Sequence, residues 1–152
     1  MSNPVQQPGA KAYLRTRILS ASSSELRLML FDGALRFVRV GRVELASEKP
    51  DFEKLFESFT RAKKVVSELS NSLDRQRDPE MCDRMRGVYD YVYKLLVEAN
   101  LERDVAKADE AIKLLTYERE TWALAVERAG AETAASNPAE AAVPAASLSR
   151  SA

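Results

Sequence analysis

The chain has 152 residues, with 23 basic and 23 acidic side chains and no histidine. This length fits one domain with a sizeable core. A net charge of zero argues against bulk nucleic-acid binding, which needs many phosphate contacts. The lack of histidine removes the commonest acid–base group and metal ligand. We therefore expect no catalytic residue, no metal site, no cofactor and no nucleic-acid partner.

Three features predict a cytosolic protein that does not insert into membranes. Cys82 is the only cysteine, so an internal disulfide is excluded and a reducing compartment is the default. No apolar run reaches the roughly 18–20 residues of a membrane span. Residues 1–10 lack the apolar core of a secretory signal.

Composition divides the chain into three parts. Residues 1–20 are expected to form a short N-terminal arm that is loose at its start, because it contains Pro4, Pro8 and Gly9. Residues 21–129 carry the periodic apolar pattern of a folded domain. Residues 130–152 are rich in Ala, Ser and Pro and have little apolar bulk, so we expect a disordered tail.

Capping residues divide the middle part into four helices. Ser22 and Glu25 fit a capping box at the start of the first, which should end near Leu45. The second should begin near Asp51. Asp78 with Pro79, and then Asp104, mark the starts of the third and fourth.

Residues 88–93 have β-propensity, but the helical period continues on both sides of them, so we predict helix there as well. The fold class is therefore all-α, an antiparallel up-down four-helix bundle, because short loops make neighbouring helices run in opposite directions.

Each helix has one apolar row that we expect to face inward. On the first predicted helix this row is Leu26, Met29, Leu30, Gly33, Phe37 and Val40. On the second it is Phe52, Leu55, Phe56, Phe59, Ala62, Val66, Leu69 and Leu73.

Three of the four helices carry further apolar side chains, which are candidates for contact with a partner. The surplus rows are Leu28, Phe31, Leu35 and Val38 on the first helix, Tyr89, Tyr93 and Val97 on the third, and Leu114, Tyr117 and Leu124 on the fourth. The row on the first helix is the one we most expect to be buried within the bundle. The arm adds Tyr13, Leu14, Ile18 and Leu19, either as a cover for an apolar groove or as a permanent strap.

Several segments resemble the flagellar secretion chaperones of the FliS family. They are KAYLRTRILSASSSELRLMLFDGALRFV at 11–38, RAKKVVSELSNSLD at 61–74 and VYDYVYKLLVEANLERD at 88–104, followed by Trp122. The resemblance covers about residues 10–128. The sequence departs from the family pattern at Ser23, where proline is frequent, and at Gly41, where alanine is.

The resemblance implies a cytoplasmic four-helix bundle that binds the C-terminal segment of flagellin, prevents its premature polymerisation and delivers it to the export gate of the flagellar secretion apparatus. Tyr13 matches an arm tyrosine implicated in covering the groove and in docking to the gate. Other matches to the family signatures are Asp32, Gly33, Tyr89, Tyr91, Asn100 and Asp104.

Taken together, the candidate partner-binding residues are Tyr13, Leu14, Ile18, Phe31, Tyr89, Tyr93, Val97, Asn100, Leu114 and Tyr117. An adaptor that binds an amphipathic helix of a regulatory protein is the alternative function. An enzyme is disfavoured, because the sequence has no Gly-rich phosphate loop and no signature of an activated nucleophile.

Overall fold

The computed structural model describes residues 8–136, and within them every regular element is an α-helix. The helices are α1 Pro8–Ser20, α2 Ser23–Ala46, α3 Phe52–Asn71, α4 Pro79–Glu102 and α5 Val105–Ser136. The predicted all-helical class is confirmed for these residues, including helix at 88–93.

The side chains predicted to cap four of the helices do so. The Ser22 hydroxyl accepts the amide of Glu25 at 3.2 Å, and Asp51 and Asp78 accept the amides three residues ahead, each at 3.1 Å. Asp104 accepts the amide of Ala106 at 3.0 Å. Each bond satisfies one of the amides that have no partner within the first turn.

Both ends of the chain are more helical than the sequence analysis predicts. The arm is not loose from residue 8 onward, because Pro8–Ser20 form α1. Proline is tolerated at a first helical position, and the Ala, Lys, Leu and Arg residues that follow are good helix formers. Similarly, α5 continues to Ser136, through a stretch rich in alanine. The rest of the predicted tail, 137–152, lies outside the described residues.

The chain divides into two compact units after Arg119. The first unit contains α1 to α4 and the first part of α5, and the second contains the remainder of α5. All the fully buried apolar side chains of the described residues belong to the first unit.

Side-chain contacts define how α2 lies beside its neighbours in this unit. Lys54 near the start of α3 pairs with Glu44 near the end of α2, whereas Arg27 near the start of α2 bonds to Leu69 and Ser72 at the end of α3. Toward α5, Arg42 pairs with Asp109 at 2.8 Å and Asp32 pairs with Arg119 at 2.8 Å.

The inward face of α2 is not the one predicted. Its buried row consists of Arg27, Phe31, Ala34, Leu35, Val38 and Gly41. The row predicted to be inward, Leu26 to Val40, is only half-buried. Both rows are apolar at helical spacing, so the periodicity of α2 alone does not distinguish them.

The prediction for α3 is right for most of its row and wrong at the start. Leu55, Phe59, Ala62, Val66 and Leu69 are buried. Phe52 and Phe56, which were also predicted to be inward, are more than half exposed.

Candidate partner surface

Three of the candidate residues share the side of α4 that faces α3. The Nζ of Lys63 on α3 lies 5.9 Å from the centre of the Tyr93 ring, so Tyr93 points toward α3. Val97 and Asn100 follow it four and seven residues later, which places them on the same side of the helix. Tyr93 is 40% exposed and Val97 is half-buried. We call this surface the α3–α4 groove.

Two cavities open along the α3–α4 groove, and Tyr93 lines both. One, of about 450 Å³, is otherwise lined by Thr60, Lys63, Lys64, Ser67, Glu68 and Asn71. The other, of about 200 Å³, extends to Val66, Ser70, Tyr89 and Asp90. The lining is mostly polar, unlike the largely apolar pockets that enclose small ligands. The groove is therefore better suited to a long partner that contacts it side chain by side chain.

One end of the α3–α4 groove carries aromatic surface that the sequence analysis placed in the core. The guanidinium of Arg103 lies 4.6 Å from the centre of the exposed Phe52 ring. Arg103 ends α4 with a left-handed backbone (φ 57°) and also donates to Oδ1 of Asn100 at 3.5 Å. Asn100 thus accepts a hydrogen bond from the residue that ends α4, and it also lies on the groove side of that helix.

The candidates on α5 lie on a different surface. The hydroxyl of Tyr91 donates to the Glu110 carboxylate at 2.8 Å, and this hydrogen bond raises the pKa of Tyr91. Leu114 and Tyr117 follow Glu110 by four and seven residues, so they lie on the side of α5 that faces Tyr91. Leu114 is half-buried and Tyr117 is 67% exposed. We call this surface the α4–α5 groove.

A cluster of charges joins α4 to α5 at the turn between them. The ammonium of Lys107 donates to Glu98 at 2.6 Å and to Glu102 at 2.7 Å. Both carboxylates raise the pKa of Lys107, and Lys107 lowers the pKa of Glu98. These ion pairs join the end of α4 to the start of α5, two helices that also meet where Tyr91 bonds to Glu110.

Two candidate residues are in the core and are not available to a partner. Phe31 is fully buried and Tyr89 is 1% exposed. Their ring centres lie 6.3 Å apart, and the guanidinium of Arg27 lies 5.8 Å from one ring and 5.6 Å from the other. The assignment of Phe31 and Tyr89 to a partner surface was wrong, because the two rings are buried against each other between α2 and α4. The expectation that the surplus row of the first predicted helix is buried is confirmed for Phe31, Leu35 and Val38.

Arg27 is the residue of this cluster that sequence reasoning missed. It is 7% exposed, and it donates to the Leu69 carbonyl, the Ser72 hydroxyl and the Tyr89 hydroxyl. It therefore connects α2 to both α3 and α4. Its spacing was a usable signal, because it lies four residues before Phe31, in line with the buried row.

The arm candidates lie on α1 and are exposed. Tyr13 is 71% exposed, Leu14 50% and Ile18 44%. Every residue from 9 to 20 is exposed. In this structure α1 thus covers no groove and is no strap packed on the core. The helix is basic, with Lys11, Arg15 and Arg17 and no acidic residue.

The described residues contain no group of three potential metal ligands among His, Cys, Asp and Glu. None of the five described helices is long and apolar enough to cross a membrane.

Residues 8–136 are all-helical, and their grooves expose aromatic and apolar side chains, a surface typical of helical proteins that bind other chains. The family model described as flagellar protein FliS matches residues 5–129. The chain therefore belongs to the FliS family.

Relatives with this name are similar over most of their length. The chain is 33% identical to the flagellar secretion chaperone FliS of Bacillus subtilis over 116 residues, which is 76% of this chain and 84% of that protein. It is 31% identical to the Salmonella typhimurium protein of the same name, over 75% of this chain and 87% of that protein. For the Escherichia coli protein the identity is 28%, over 75% and 86%.

Proposed function

We propose that this protein is a cytosolic secretion chaperone that binds the C-terminal segment of flagellin, keeps it from polymerising and delivers it to the export gate of the flagellar secretion apparatus. Membership of the FliS family supports the role in flagellar export. So do relatives whose names are flagellar secretion chaperone.

The observation that carries the proposal is the amount of apolar surface left in water. Tyr93 and Phe52 in the α3–α4 groove, Tyr117 in the α4–α5 groove, and Tyr13 and Leu19 on α1 are all substantially exposed. Burying one such side chain contributes about 1.5–3 kcal/mol, so covering several of them is strongly favourable. Exposed apolar surface of this kind is typical of a site for another chain.

The spacing of these side chains favours a helical client. Tyr93 with Val97, and Leu114 with Tyr117, recur at the three- and four-residue steps that match the apolar face of an amphipathic helix. We infer that α2 to α5 form the antiparallel up-down bundle predicted from the sequence, with the grooves between neighbouring helices as client seats. A disordered client that folds as it binds can occupy several grooves at once.

The proposal is tested by calorimetric titration with full-length flagellin and with flagellin that lacks its C-terminal segment. We expect a stoichiometric complex with the first and none with the second. Coupled folding also predicts a negative heat-capacity change and a gain in helical circular dichroism on mixing. Equal binding of the truncated flagellin would contradict the assignment of the client segment.

Delivery is tested separately through α1. If Tyr13 contributes to docking at the gate, then Tyr13→Ala should reduce binding of the chaperone–flagellin complex to the isolated cytosolic part of the gate. Binding to flagellin itself should remain. A loss of both would instead place Tyr13 in the client site.

A further inference from the structure

Gly33 lies in the middle of α2, and nothing in the described fold requires a glycine there. Apart from its chain neighbours and the backbone of its own helix, no heavy atom of the described residues lies within 4 Å of the position that a Cβ would take. A glycine inside a helix is destabilising relative to alanine. Gly41 on the same helix is different, because the ring of Phe59 lies 3.0–3.1 Å from its Cβ position. Packing against Phe59 therefore explains why position 41 is a glycine, whereas no contact of the described residues explains the glycine at position 33.

Gly33 sits at the centre of a half-buried apolar row along one flank of α2. Five apolar residues share its side of the helix, because they lie three, four or seven residues away from it. They are Leu26, Met29 and Leu30 before it and Phe37 and Val40 after it. Each is half-buried, and the row that holds the core lies next to this one on the helix. We call these six residues the outer stripe of α2. With no side chain at Gly33, the stripe has a notch between Met29 and Phe37.

Cations border the outer stripe. The guanidinium of Arg36 lies 5.2 Å from the centre of the Phe37 ring, and that of Arg61 on α3 lies 5.8 Å from the same ring. Arg61 is paired with Glu57 at 2.7 Å. Within residues 8–136, neither Arg36 nor its exposed neighbour Arg39 forms an ion pair, although Arg42 on the same helix does.

We propose that the outer stripe is a seat for one helix of the client, which approaches α2 most closely at Gly33 and presents carboxylates to Arg36 and Arg39. This inference rests on the proposed chaperone function and adds a third surface to the two grooves. The distance between packed helices is set by the side chains at their crossing point, so a glycine there admits a large apolar side chain of the guest. Phe37 and Met29 form the walls of the notch.

Charge identifies the occupant as a helix with acidic edges. Helix α1 is joined to α2 through Ala21 and Ser22 and carries exposed apolar residues, so it is an obvious competitor for the stripe. However, α1 contains Lys11, Arg15 and Arg17 and no carboxylate, and placing it beside Arg36 and Arg39 would bring like charges together. Such contacts oppose binding, whereas a client helix bordered by Asp or Glu is attracted.

The experiment compares Gly33→Leu with Gly130→Leu in titrations of the full chain with flagellin. Gly130 is a matched control, because it is exposed within α5, lies in neither groove, and no heavy atom of the described residues lies within 4 Å of its Cβ position. We expect Gly33→Leu to raise the Kd for flagellin about tenfold or more, because the added side chain fills the notch. Gly130→Leu should leave the Kd within about twofold. Urea unfolding of each variant verifies that the bundle is intact.

Charge reversal tests the second half of the proposal. Arg36→Glu and Arg39→Glu should each weaken flagellin binding and reduce its dependence on salt, whereas Arg128→Glu, an exposed reversal on α5 outside both grooves, should not. Unchanged binding by both Gly33→Leu and the two arginine variants, while the wild type binds, would overturn the seat and leave the chaperone function standing.

Three other results would also overturn the seat. If the wild-type chain does not bind flagellin, the proposed function fails and the seat with it. If light scattering finds that Gly33→Leu lowers the mass of the free protein, a second copy is the occupant. If Gly33→Leu instead accelerates amide exchange in residues 8–20, the occupant is α1.

Discussion

The guanidinium of Arg27 donates a hydrogen bond to the hydroxyl of Tyr89 and lies 5.6 Å from the centre of its ring. Burial raises the pKa of Tyr89 to about 12, with the charge of Arg27 opposing that rise, so the phenol stays protonated across the physiological range. The pair joins α2 to α4. The bonds from Arg27 to the Leu69 carbonyl and the Ser72 hydroxyl add α3.

We expect Arg27 and Tyr89 to be energetically coupled. Arg27→Met leaves the Tyr89 hydroxyl without its donor and leaves the Leu69 carbonyl with the Ser72 hydroxyl alone, which should lower the free energy of unfolding by roughly 2–4 kcal/mol. Tyr89→Phe should cost about 1–2 kcal/mol. The double variant should be more stable than the sum of the single effects implies, by about 1–2 kcal/mol in urea unfolding. Additive effects would mean that the observed bond contributes nothing.

The second prediction concerns Glu118, which is half-buried on α5. Burial raises its pKa, and the charges of Arg27 and Arg84 reduce the rise. Because the pKa is higher in the folded than in the unfolded state, the folded state binds the proton more tightly. The contribution of this group to stability therefore increases as pH falls through the folded pKa, and at neutral pH its charge is unfavourable.

We accordingly expect Glu118→Gln to raise the midpoint of thermal unfolding at pH 7. The difference from wild type should shrink as the pH falls toward the ordinary glutamate value of about 4.5. Glu127→Gln, at an exposed position of α5, serves as the control and should change the midpoint little at pH 7. A Glu118→Gln variant that is less stable at neutral pH would mean that the attraction to the two arginines outweighs burial.

Three of the glycines inside helices should respond differently to alanine. Gly33→Ala and Gly87→Ala should each stabilise the free protein by about 0.5–1 kcal/mol, because alanine is the better helix former and both positions have space for a methyl group. Gly41→Ala should destabilise by about 1–3 kcal/mol, because its Cβ would meet the Phe59 ring. Guanidinium unfolding measures all three, and a stabilising Gly41→Ala would show that the ring moves aside at little cost.

The two grooves on either side of α4 can be separated by a pair of tyrosine variants. Tyr93→Ser removes aromatic surface from the α3–α4 groove and Tyr91→Ser does so on the side facing α5, and both residues are similarly exposed. If the client lies mainly in the α3–α4 groove, Tyr93→Ser should weaken flagellin binding by about tenfold and Tyr91→Ser by much less. Both variants should keep the wild-type circular dichroism. Their free energies of unfolding in urea should stay within about 0.5 kcal/mol of the wild-type value. A greater loss with Tyr91→Ser would transfer the main client site to the α4–α5 groove.

The sequence by itself determined where the four helices from α2 to α5 begin, because the signals for a helix start are local. The side chains of Ser22, Asp51, Asp78 and Asp104 cap the helices that they were predicted to start. The family membership could also be read from sequence motifs, which need no fold to be recognised.

Only the tertiary structure decided which faces of those helices are available to a partner. α2 has apolar residues on two sides, and its own period does not say which side meets α3 and α4. The contacts of Phe31 and Arg27 with Tyr89 place one row in the core, and the row around Gly33 is left half-buried. Burial depends on residues far apart in the chain, and for this reason Tyr89, a candidate for the partner surface, lies in the core, while Phe52 and Phe56, predicted to face inward, are exposed.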